Sequence, residues 1–137
     1  MRLSFGITES SPVMFGPHPD GVTAPRNSIG WALPDTEIRL EGGDSQGQSG
    51  APDQGVLHVR TPGMMLGYHN MPEETARRLK DGWFDTGDIL RRDQDGWYFF
   101  VGRVDDMFVS GGNNIYPGEV ESVLERHPDI FQAIVVA

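Results

Sequence analysis

The sequence contains no cysteine, which excludes disulfide bonds and thiolate metal ligands. Basic residues are also few: the 137 residues carry a formal net charge of −9, and Lys80 is the only lysine. The arginines are scattered, whereas a surface that grips nucleic acid needs clustered Lys and Arg. We therefore expect no nucleic-acid partner. The lack of cysteine is compatible with a reducing cytoplasm, which is where we expect the protein.

Long hydrophobic runs are missing as well. No apolar run approaches the roughly 20 residues that a helix needs to cross a membrane, and the N-terminus lacks the apolar stretch of a secretory signal. The sequence has no G-x-x-x-x-G-K-[ST] phosphate loop, no H-E-x-x-H and no G-x-S-x-G. Its four histidines, at 18, 58, 69 and 127, have no metal-ligand spacing. We expect no membrane span, no secretion signal and none of these three chemistries.

Glycine and proline are abundant, with 18 and 10 residues. Short stretches of alternating apolar residues lie between turn-forming segments, which is typical of a loop-rich β protein. The pattern predicts a hairpin turn at 93–96 and strands at 29–33, 38–40, 56–60, 83–90, 97–101 and 107–109. Met64 and Met65 are expected to fill the core.

Two helices are predicted among these strands. The first spans 70–82: Asn70 and Glu73 have the spacing of a capping box, Ala76 and Leu79 form the inner face, and Gly82 ends the helix. The second begins at Pro117, carries an apolar stripe at 120, 123 and 124, and ends at 127–128. After a turn, the apolar run 130–137 predicts a final buried strand.

The first candidate site is the stretch Phe5-Gly6-Ile7-Thr8-Glu9. An aromatic face can stack on a base, and a glycine lets the backbone approach a flat ligand. The hydroxyl can contact a phosphate oxygen, and the carboxylate can hold Mg²⁺. The same residues also fit an ordinary strand end followed by a Thr-Glu helix cap.

The second candidate is Trp83-Phe84-Asp85-Thr86-Gly87-Asp88, in which the carboxylate of Asp88 stands at the end of a predicted strand. A carboxylate placed beside a glycine can accept both hydrogen bonds of a ribose cis-diol, as acidic residues do in dinucleotide-binding folds. The alternative is a turn in which the aspartate caps backbone N–H groups.

The third candidate runs from Gly102 to Leu124 and combines charges with a glycine pair. Arg103 can pair with Asp88 or reach the same sugar, and Gly111 and Gly112 permit positive φ or the close passage of a ligand. A hairpin linker with solvated charges is the alternative.

Taken in this order and at these separations, the three motifs closely resemble those of the class I adenylate-forming (AMP-binding) enzymes. A further motif of that superfamily is matched by Gly55 to Tyr68, although Val56 replaces its usual Glu. In the second motif, Asp85 replaces the common basic residue. In the third, the match runs from Gly102 to Glu121. Val109 stands where peptide-synthetase relatives commonly carry lysine, so the chain is more similar to the acyl- and aryl-CoA synthetase branch.

The resemblance implies a set of nucleotide contacts. Phe5, with Gly6, would stack on adenine, Thr8 would contact the α-phosphate and Glu9 would hold Mg²⁺. Asp88 would bind the ribose hydroxyls of ATP or AMP with the help of Arg103.

The resemblance also implies a moving part. Asp105 matches the hinge residue about which the C-terminal domain swings between the two half-reactions. Gly111 and Gly112 would line the tunnel for the pantetheine arm of coenzyme A. Such a hinge requires backbone torsional freedom, which the glycines supply, next to charged residues that contact the sugar.

The fold implied is α+β and mainly β. Residues 1–101 would form the third, barrel-like subdomain of the AMP-binding domain, 102–106 the hinge, and 107–137 the truncated start of the small α/β C-terminal domain. The segment lacks the superfamily's phosphate loop and catalytic lysine, for which Lys80 is no candidate.

The expected function is therefore that of a fragment of an ATP-dependent acid:CoA ligase. Such an enzyme forms an acyl-adenylate from a carboxylic acid and then an acyl-CoA thioester. We expect the isolated chain to be inactive and able to self-associate through its exposed C-terminal strand. Two alternatives stay open: a non-catalytic module that binds nucleotide or a partner protein, and a β-rich interaction domain that binds no nucleotide.

Overall fold

The computed structural model describes residues 4–42 and 53–136 and shows a chain built mainly of β-strands. Two helices accompany them, α1 (Pro72–Arg78) and α2 (Pro117–Leu124). The predicted class, α+β and mainly β, is confirmed. The strands are β1 (Phe5–Ile7), β2 (Ser11–Gly16), β3 (Ser28–Ala32), β4 (Glu37–Glu41), β5 (Asp53–Arg60), β6 (Leu79–Lys80), β7 (Trp83–Arg92), β8 (Tyr98–Arg103), β9 (Phe108–Ser110) and β10 (Asn113–Ile115).

One open antiparallel sheet contains eight of these strands. Its order is β1-β2-β3-β8-β7-β5-β4, and the short β6 pairs with β7 off this path. The long β7 is paired by β5 on one side and by β8 on the other. This central place buries every residue from Thr86 to Leu90, including the charged Asp88.

The hydrophobic core lies against β2, β5 and β7. Its buried members come from β2, β5, β7 and β8 and are Met14, Phe15, Leu57, Val59, Phe84, Leu90 and Tyr98. The Phe15 ring is 5.0 Å from that of Tyr98 and 5.9 Å from that of Phe5. Met64 and Met65 pack against this cluster, as predicted.

The six predicted strands are present as β3, β4, β5, β7, β8 and β9, with ends that differ by up to three residues. The predicted turn between β7 and β8 is also present. The Asp93 N–H donates to the Trp97 carbonyl at 2.9 Å, and Gly96 has a φ of 93°. The strands β1, β2, β6 and β10 were not predicted, because they are short or contain proline or glycine.

The capping box predicted for the first helix is wrong. The helix α1 begins at Pro72, its N-cap is Met71, and no side chain caps its first turn. Asn70 lies outside the helix with a left-handed φ of 55°. Glu73 therefore has no reciprocal partner at the predicted N-cap.

The predicted end and inner face of this helix also differ from the structure. The helix ends at Arg78 rather than near Gly82, because the next two residues become extended as β6 and pair with β7. Leu79 packs against the core from this strand, whereas Ala76 is exposed. Pairing with β7 thus outweighs helix propensity at this point.

The C-terminal part of the described chain is a hairpin and a helix. The strands β9 and β10 form a separate two-stranded sheet. The helix α2 packs on β8, where a Cβ built at Gly118 would lie 3.1 Å from the Val101 carbonyl oxygen. The predicted start of α2 at Pro117 is confirmed.

The predicted final strand is wrong: residues 130–136 form no strand, and Ala137 lies outside the described residues. Instead, the Ala133 amide donates to the carboxylate of Glu125, just after α2, and the Val135 amide donates to that of Glu121, on α2. No described strand lies beside this segment, so its apolar pattern has no ladder to join. In residues 4–42 and 53–136, no helix combines the length and hydropathy needed to cross a membrane.

Candidate nucleotide site

An ion pair between Asp88 and Arg103 lies at the centre of the candidate site. The two residues are register partners in β7 and β8, so the ladder places their side chains together. The Arg103 Nη1 donates to the Asp88 Oδ1 at 2.8 Å. The Asp88 side chain is 5% exposed, and that of Arg103 is 42% exposed. The carboxylate is therefore held inside the fold, and the guanidinium forms its boundary with solvent.

The pKa of Asp88 lies above its ordinary value. Burial is the largest cause, because it disfavours the charged carboxylate; the positive charge of Arg103 opposes it, and the negative charge of Glu9 adds to it. Glu9 lies in the turn between β1 and β2, and its negative charge is one of the causes of this shift.

The backbone around Asp88 is fixed by its neighbours. The Asp88 N–H donates to the Thr86 hydroxyl, which itself donates to the Leu57 carbonyl in β5. Asp85, rather than Asp88, accepts the backbone N–H of Gly87 at 3.0 Å. The alternative in which Asp88 serves as the turn cap therefore applies to Asp85 instead.

Asp105 lies in the turn after β8 and faces two arginines. Its Oδ2 is 3.8 Å from Arg103 Nη2 and 3.9 Å from Arg78 Nη2. Arg78 also lies 3.9 Å from Asp85 Oδ1 and 3.3 Å from Glu74 Oε1. The structure thus brings the predicted hinge residue next to the predicted sugar contacts. Arg78, which bridges α1 and this turn, was missed because its helical position in the sequence suggests only a solvated charge.

The carboxylate of Glu9 lies at the turn between β1 and β2. Its Oε1 accepts a hydrogen bond from the Tyr68 hydroxyl at 2.9 Å. Burial raises the pKa of Tyr68, and the hydrogen bond to Glu9 and the charge of Glu9 raise it further, so the hydroxyl keeps its proton and remains a donor. Tyr68 was also missed, because 59 residues separate it from Glu9.

The other residues of the first motif have different surroundings. The Phe5 ring lies 5.9 Å from that of Phe15 and 6.2 Å from that of Phe100. A Cβ at Gly6 would come within 2.3 Å of the Pro12 carbonyl oxygen, so the β1–β2 hairpin itself requires glycine there. Thr8 is exposed.

Gly111 and Gly112 form the exposed turn between β9 and β10, with φ values of 59° and 83°. A Cβ built at either position would meet nothing within 4 Å. Across the described residues, no hydrogen bond or ion pair joins these glycines to Asp88, Arg103 or Glu9.

Glu9 is the residue of this site whose chemistry fits a divalent cation. In the part of the chain that the structure describes, no basic side chain forms an ion pair with it, so its charge is left for another cation. That same part holds no group of three or more metal-ligating side chains. One carboxylate still suits Mg²⁺, which usually takes one or two protein carboxylates and completes its shell with water and substrate phosphates.

A groove of about 380 Å³ lies beside the ion-pair cluster. Arg78, Asp85, Gly87 and Asp105 contribute to its walls. Its size is within the range of small-ligand sites. Asp88, Arg103 and Glu9 are not among its lining residues, so the groove lies on the Arg78–Asp105 side of the cluster.

Residues 2–69 match the family described as AMP-binding enzyme, and the chain belongs to this family. The chain is similar to the long-chain-fatty-acid–CoA ligase of Yersinia pestis, with 40% identity over 133 residues; the match covers 96% of this chain and 23% of the ligase. It is 38% identical to the indoleacetate–CoA ligase of Aromatoleum aromaticum over 96% of this chain and 26% of that enzyme.

A similar structure is that of o-succinylbenzoate coenzyme A synthetase from Bacillus subtilis in complex with ATP and magnesium ion. Its TM-score is 0.79 at 34% identity, and the match covers 98% of this chain and 28% of the synthetase. The chain thus spans about a quarter of the length of the relatives it matches.

Proposed function

We propose that this chain carries the nucleotide-binding side of an ATP-dependent acid:CoA ligase. The observation that carries the proposal is the buried carboxylate of Asp88, which is paired with Arg103 at 2.8 Å. The parent reaction would form an acyl-adenylate from a carboxylic acid and ATP and then an acyl-CoA thioester. The relatives support this reaction class, because each is named as a CoA ligase or synthetase.

The sugar would be bound by Asp88 and Arg103. A carboxylate accepts both hydroxyls of a ribose cis-diol, and a guanidinium donates to sugar and phosphate oxygens. Because Asp88 is 3% exposed, the half-exposed Arg103 would have to turn aside for a ribose to reach the carboxylate. The carboxylate is shielded from water until that happens.

The remaining nucleotide contacts belong to the β1–β2 hairpin. Glu9 would hold Mg²⁺, which neutralises phosphate charge during adenylation. Phe5, with Gly6, would contact adenine and Thr8 would contact the α-phosphate. The exposed position of Thr8 leaves its hydroxyl accessible for that contact.

The proposal extends to the hinge and to coenzyme A. Asp105 would be the pivot between the subdomain 1–101 and the C-terminal domain beginning at 107, with 102–106 as the hinge. Gly111 and Gly112 would line the coenzyme A tunnel once the C-terminal domain has moved, and their exposure leaves them free to do so. The acid stays open between fatty and aromatic classes, because the relatives include both.

Calorimetric titration with AMP tests the nucleotide site. We expect the wild-type chain to bind AMP and Asp88→Ala to lose at least about tenfold in affinity, because a buried hydrogen-bonding carboxylate contributes on the order of 1.5–3 kcal/mol. Asp106→Ala is the matched control, since it removes an exposed carboxylate from the turn that follows β8. Equal affinity of wild type and Asp88→Ala would favour an interaction module that does not bind nucleotide through this site.

We also propose that the isolated chain does not turn over and that it functions in the cytoplasm. Stabilising a transferring phosphate needs cations placed around it, and the only lysine, Lys80, is exposed on β6 beside Trp83. Production of acyl-CoA by the purified chain, with ATP, coenzyme A and a broad panel of acids, would refute the expected inactivity.

A further inference from the structure

The carboxylate of Glu9 is held by one neutral donor from a distant part of the chain. The Tyr68 Oη lies 2.9 Å from Glu9 Oε1, and both side chains are partly buried. Tyr68 packs against the hydrophobic core, so its ring has little freedom to move away. Its hydroxyl therefore fixes one carboxylate oxygen and leaves the other oxygen for a different partner.

The loop that carries Tyr68 also holds the backbone of the turn between β1 and β2. The Met65 N–H donates to the Glu9 carbonyl at 2.7 Å, and the Thr61 hydroxyl donates to the Ser10 carbonyl at 2.7 Å. Residues 61–71, here called the clamp loop, thus contact Glu9 and Ser10 at two backbone carbonyls and one carboxylate oxygen. Three contacts of this kind restrict both the position and the orientation of Glu9.

The clamp loop is in turn anchored on α1 through Thr75. The Thr75 hydroxyl accepts the Tyr68 N–H at 2.9 Å and donates to the Met71 carbonyl at 2.9 Å. Gly67 has a φ of 152°, and a Cβ there would lie 2.9 Å from the Thr75 Cγ2, so loop and helix are in close contact. The path from α1 to Glu9 is therefore continuous: Thr75 fixes Tyr68, and Tyr68 fixes the carboxylate.

The chemistry of the donor suits a cation ligand. A guanidinium in place of the phenol would pair with Glu9, as Arg103 pairs with Asp88, and would compete with a metal ion for the carboxylate. A phenol orients the carboxylate by a hydrogen bond and leaves its charge in place. Partners of this type around metal ligands are worth about 10- to 100-fold in metal affinity.

We propose that Tyr68 is a positioning residue for Glu9, and that the clamp loop holds this carboxylate in the orientation in which it takes a divalent cation. The inference rests on the proposed function, in which Glu9 is the cation ligand of the nucleotide site. It assigns to the clamp loop and α1 a specific part in nucleotide binding.

Titration of the chain with ATP, in excess Mg²⁺ and separately in EDTA, tests the proposal. We expect wild type to bind ATP more tightly with Mg²⁺, and Tyr68→Phe to lose about tenfold of that gain while its affinity in EDTA changes less than about twofold. Tyr116→Phe, which removes a hydroxyl from another partly buried tyrosine, should behave as wild type. Thr75→Val should resemble Tyr68→Phe, and Thr75→Ser, which keeps the hydroxyl, should resemble wild type.

A second measurement needs no nucleotide. In the chain labelled with ¹³C at the glutamate carboxyl carbons, the Glu9 signal should shift in Tyr68→Phe and Thr75→Val, and stay in place in Tyr116→Phe and Thr75→Ser. A Mg²⁺-dependent gain that survives in Tyr68→Phe overturns the positioning role and leaves the proposed function intact.

The remaining outcomes separate the two proposals. Binding of ATP that does not depend on Mg²⁺ in wild type overturns the cation role of Glu9 and, with it, that of Tyr68. Absence of any ATP binding by wild type overturns the proposed function of this chain. In that case the ¹³C signal of the Glu9 carboxyl group decides whether Tyr68 orients Glu9. An unchanged signal in Tyr68→Phe then overturns the positioning role of Tyr68 as well.

Discussion

A buried carboxylate beside a guanidinium has two opposing influences on its charge. At Asp88 burial outweighs Arg103, and the nearby negative charge of Glu9 adds to the effect of burial, so the pKa is raised. The sequence motif predicts the pairing of these residue types, but it does not reveal that Asp88 is 3% exposed. That burial arises from the central position of β7, between β5 and β8.

We expect Asp88 to make the stability of the chain depend on pH. Because its pKa in the folded state lies above the ordinary value of 3.8, folding takes up a proton, and the associated stability is present at low pH and lost as the pH rises through the raised value. The free energy of unfolding of wild type relative to Asp88→Asn should therefore fall as the pH rises above 3.8, by about 1.4 kcal/mol for each pKa unit.

Urea unfolding of wild type and Asp88→Asn at a series of pH values checks this. Asp106→Asn, which makes the same substitution at an exposed turn position, is the matched control. A difference that grows more favourable to wild type with rising pH would mean that Arg103 outweighs burial.

At the scale of elements, the β7–β8 hairpin was well predicted from the sequence because its turn is locally determined. Asp93 and Gly96 carry the turn by themselves: Asp93 Oδ1 accepts the amides of Asp95 at 3.1 Å and Trp97 at 2.8 Å. Gly96 adopts the positive φ of 93° that the turn needs. The determinants of this turn lie within four residues of one another, so the sequence pattern reveals them.

Asp93→Ala should destabilise the chain by about 1–2 kcal/mol, because two backbone amides lose a charged acceptor. Asp95→Ala changes a neighbouring exposed aspartate and should stay within about 0.5 kcal/mol of wild type. Thermal or urea unfolding measures both, and equal stability of the two variants would show that the Asp93 side chain is not needed for the turn.

The helix α1 shows the opposite behaviour, since its ends are set by distant contacts. A local pattern predicted a cap at Asn70 and an end near Gly82, but Met71 occupies the N-cap and the helix ends at Arg78. Thr75 is committed to Tyr68 and Met71, and the residues after Arg78 pair with β7. Spacing along the chain carries no information about these partners.

At the scale of the whole molecule, apolar side chains are exposed at the C-terminal end of the described chain. Phe131 is 98% exposed, Ile134 76%, Val136 78% and, on α2, Val123 58%. Exposed apolar side chains favour association where they form a contiguous patch. The predicted strand there is absent, so any self-association would use these side chains rather than a preformed strand edge.

We expect the chain to self-associate with rising concentration, and Phe131→Asp to weaken that association by about tenfold or more, because it replaces a ring whose burial is worth roughly 1.5–3 kcal/mol. Sedimentation velocity over a range of concentrations measures it. Gln132→Asp adds the same charge at the adjacent exposed position and should associate as wild type does. A wild-type chain that stays monomeric throughout the range would contradict this expectation.

The sequence by itself determined the class of fold, most strands, the β7–β8 turn and the order of the family motifs, because each depends on residues close together in the chain. Only the tertiary structure decided the burial of Asp88, the contact of Arg78 with Asp105, the ends of α1 and the clamp of Tyr68 on Glu9. These features join segments up to 59 residues apart. They depend on which strands become neighbours in the sheet, a choice made by packing of the whole chain and not by any local pattern.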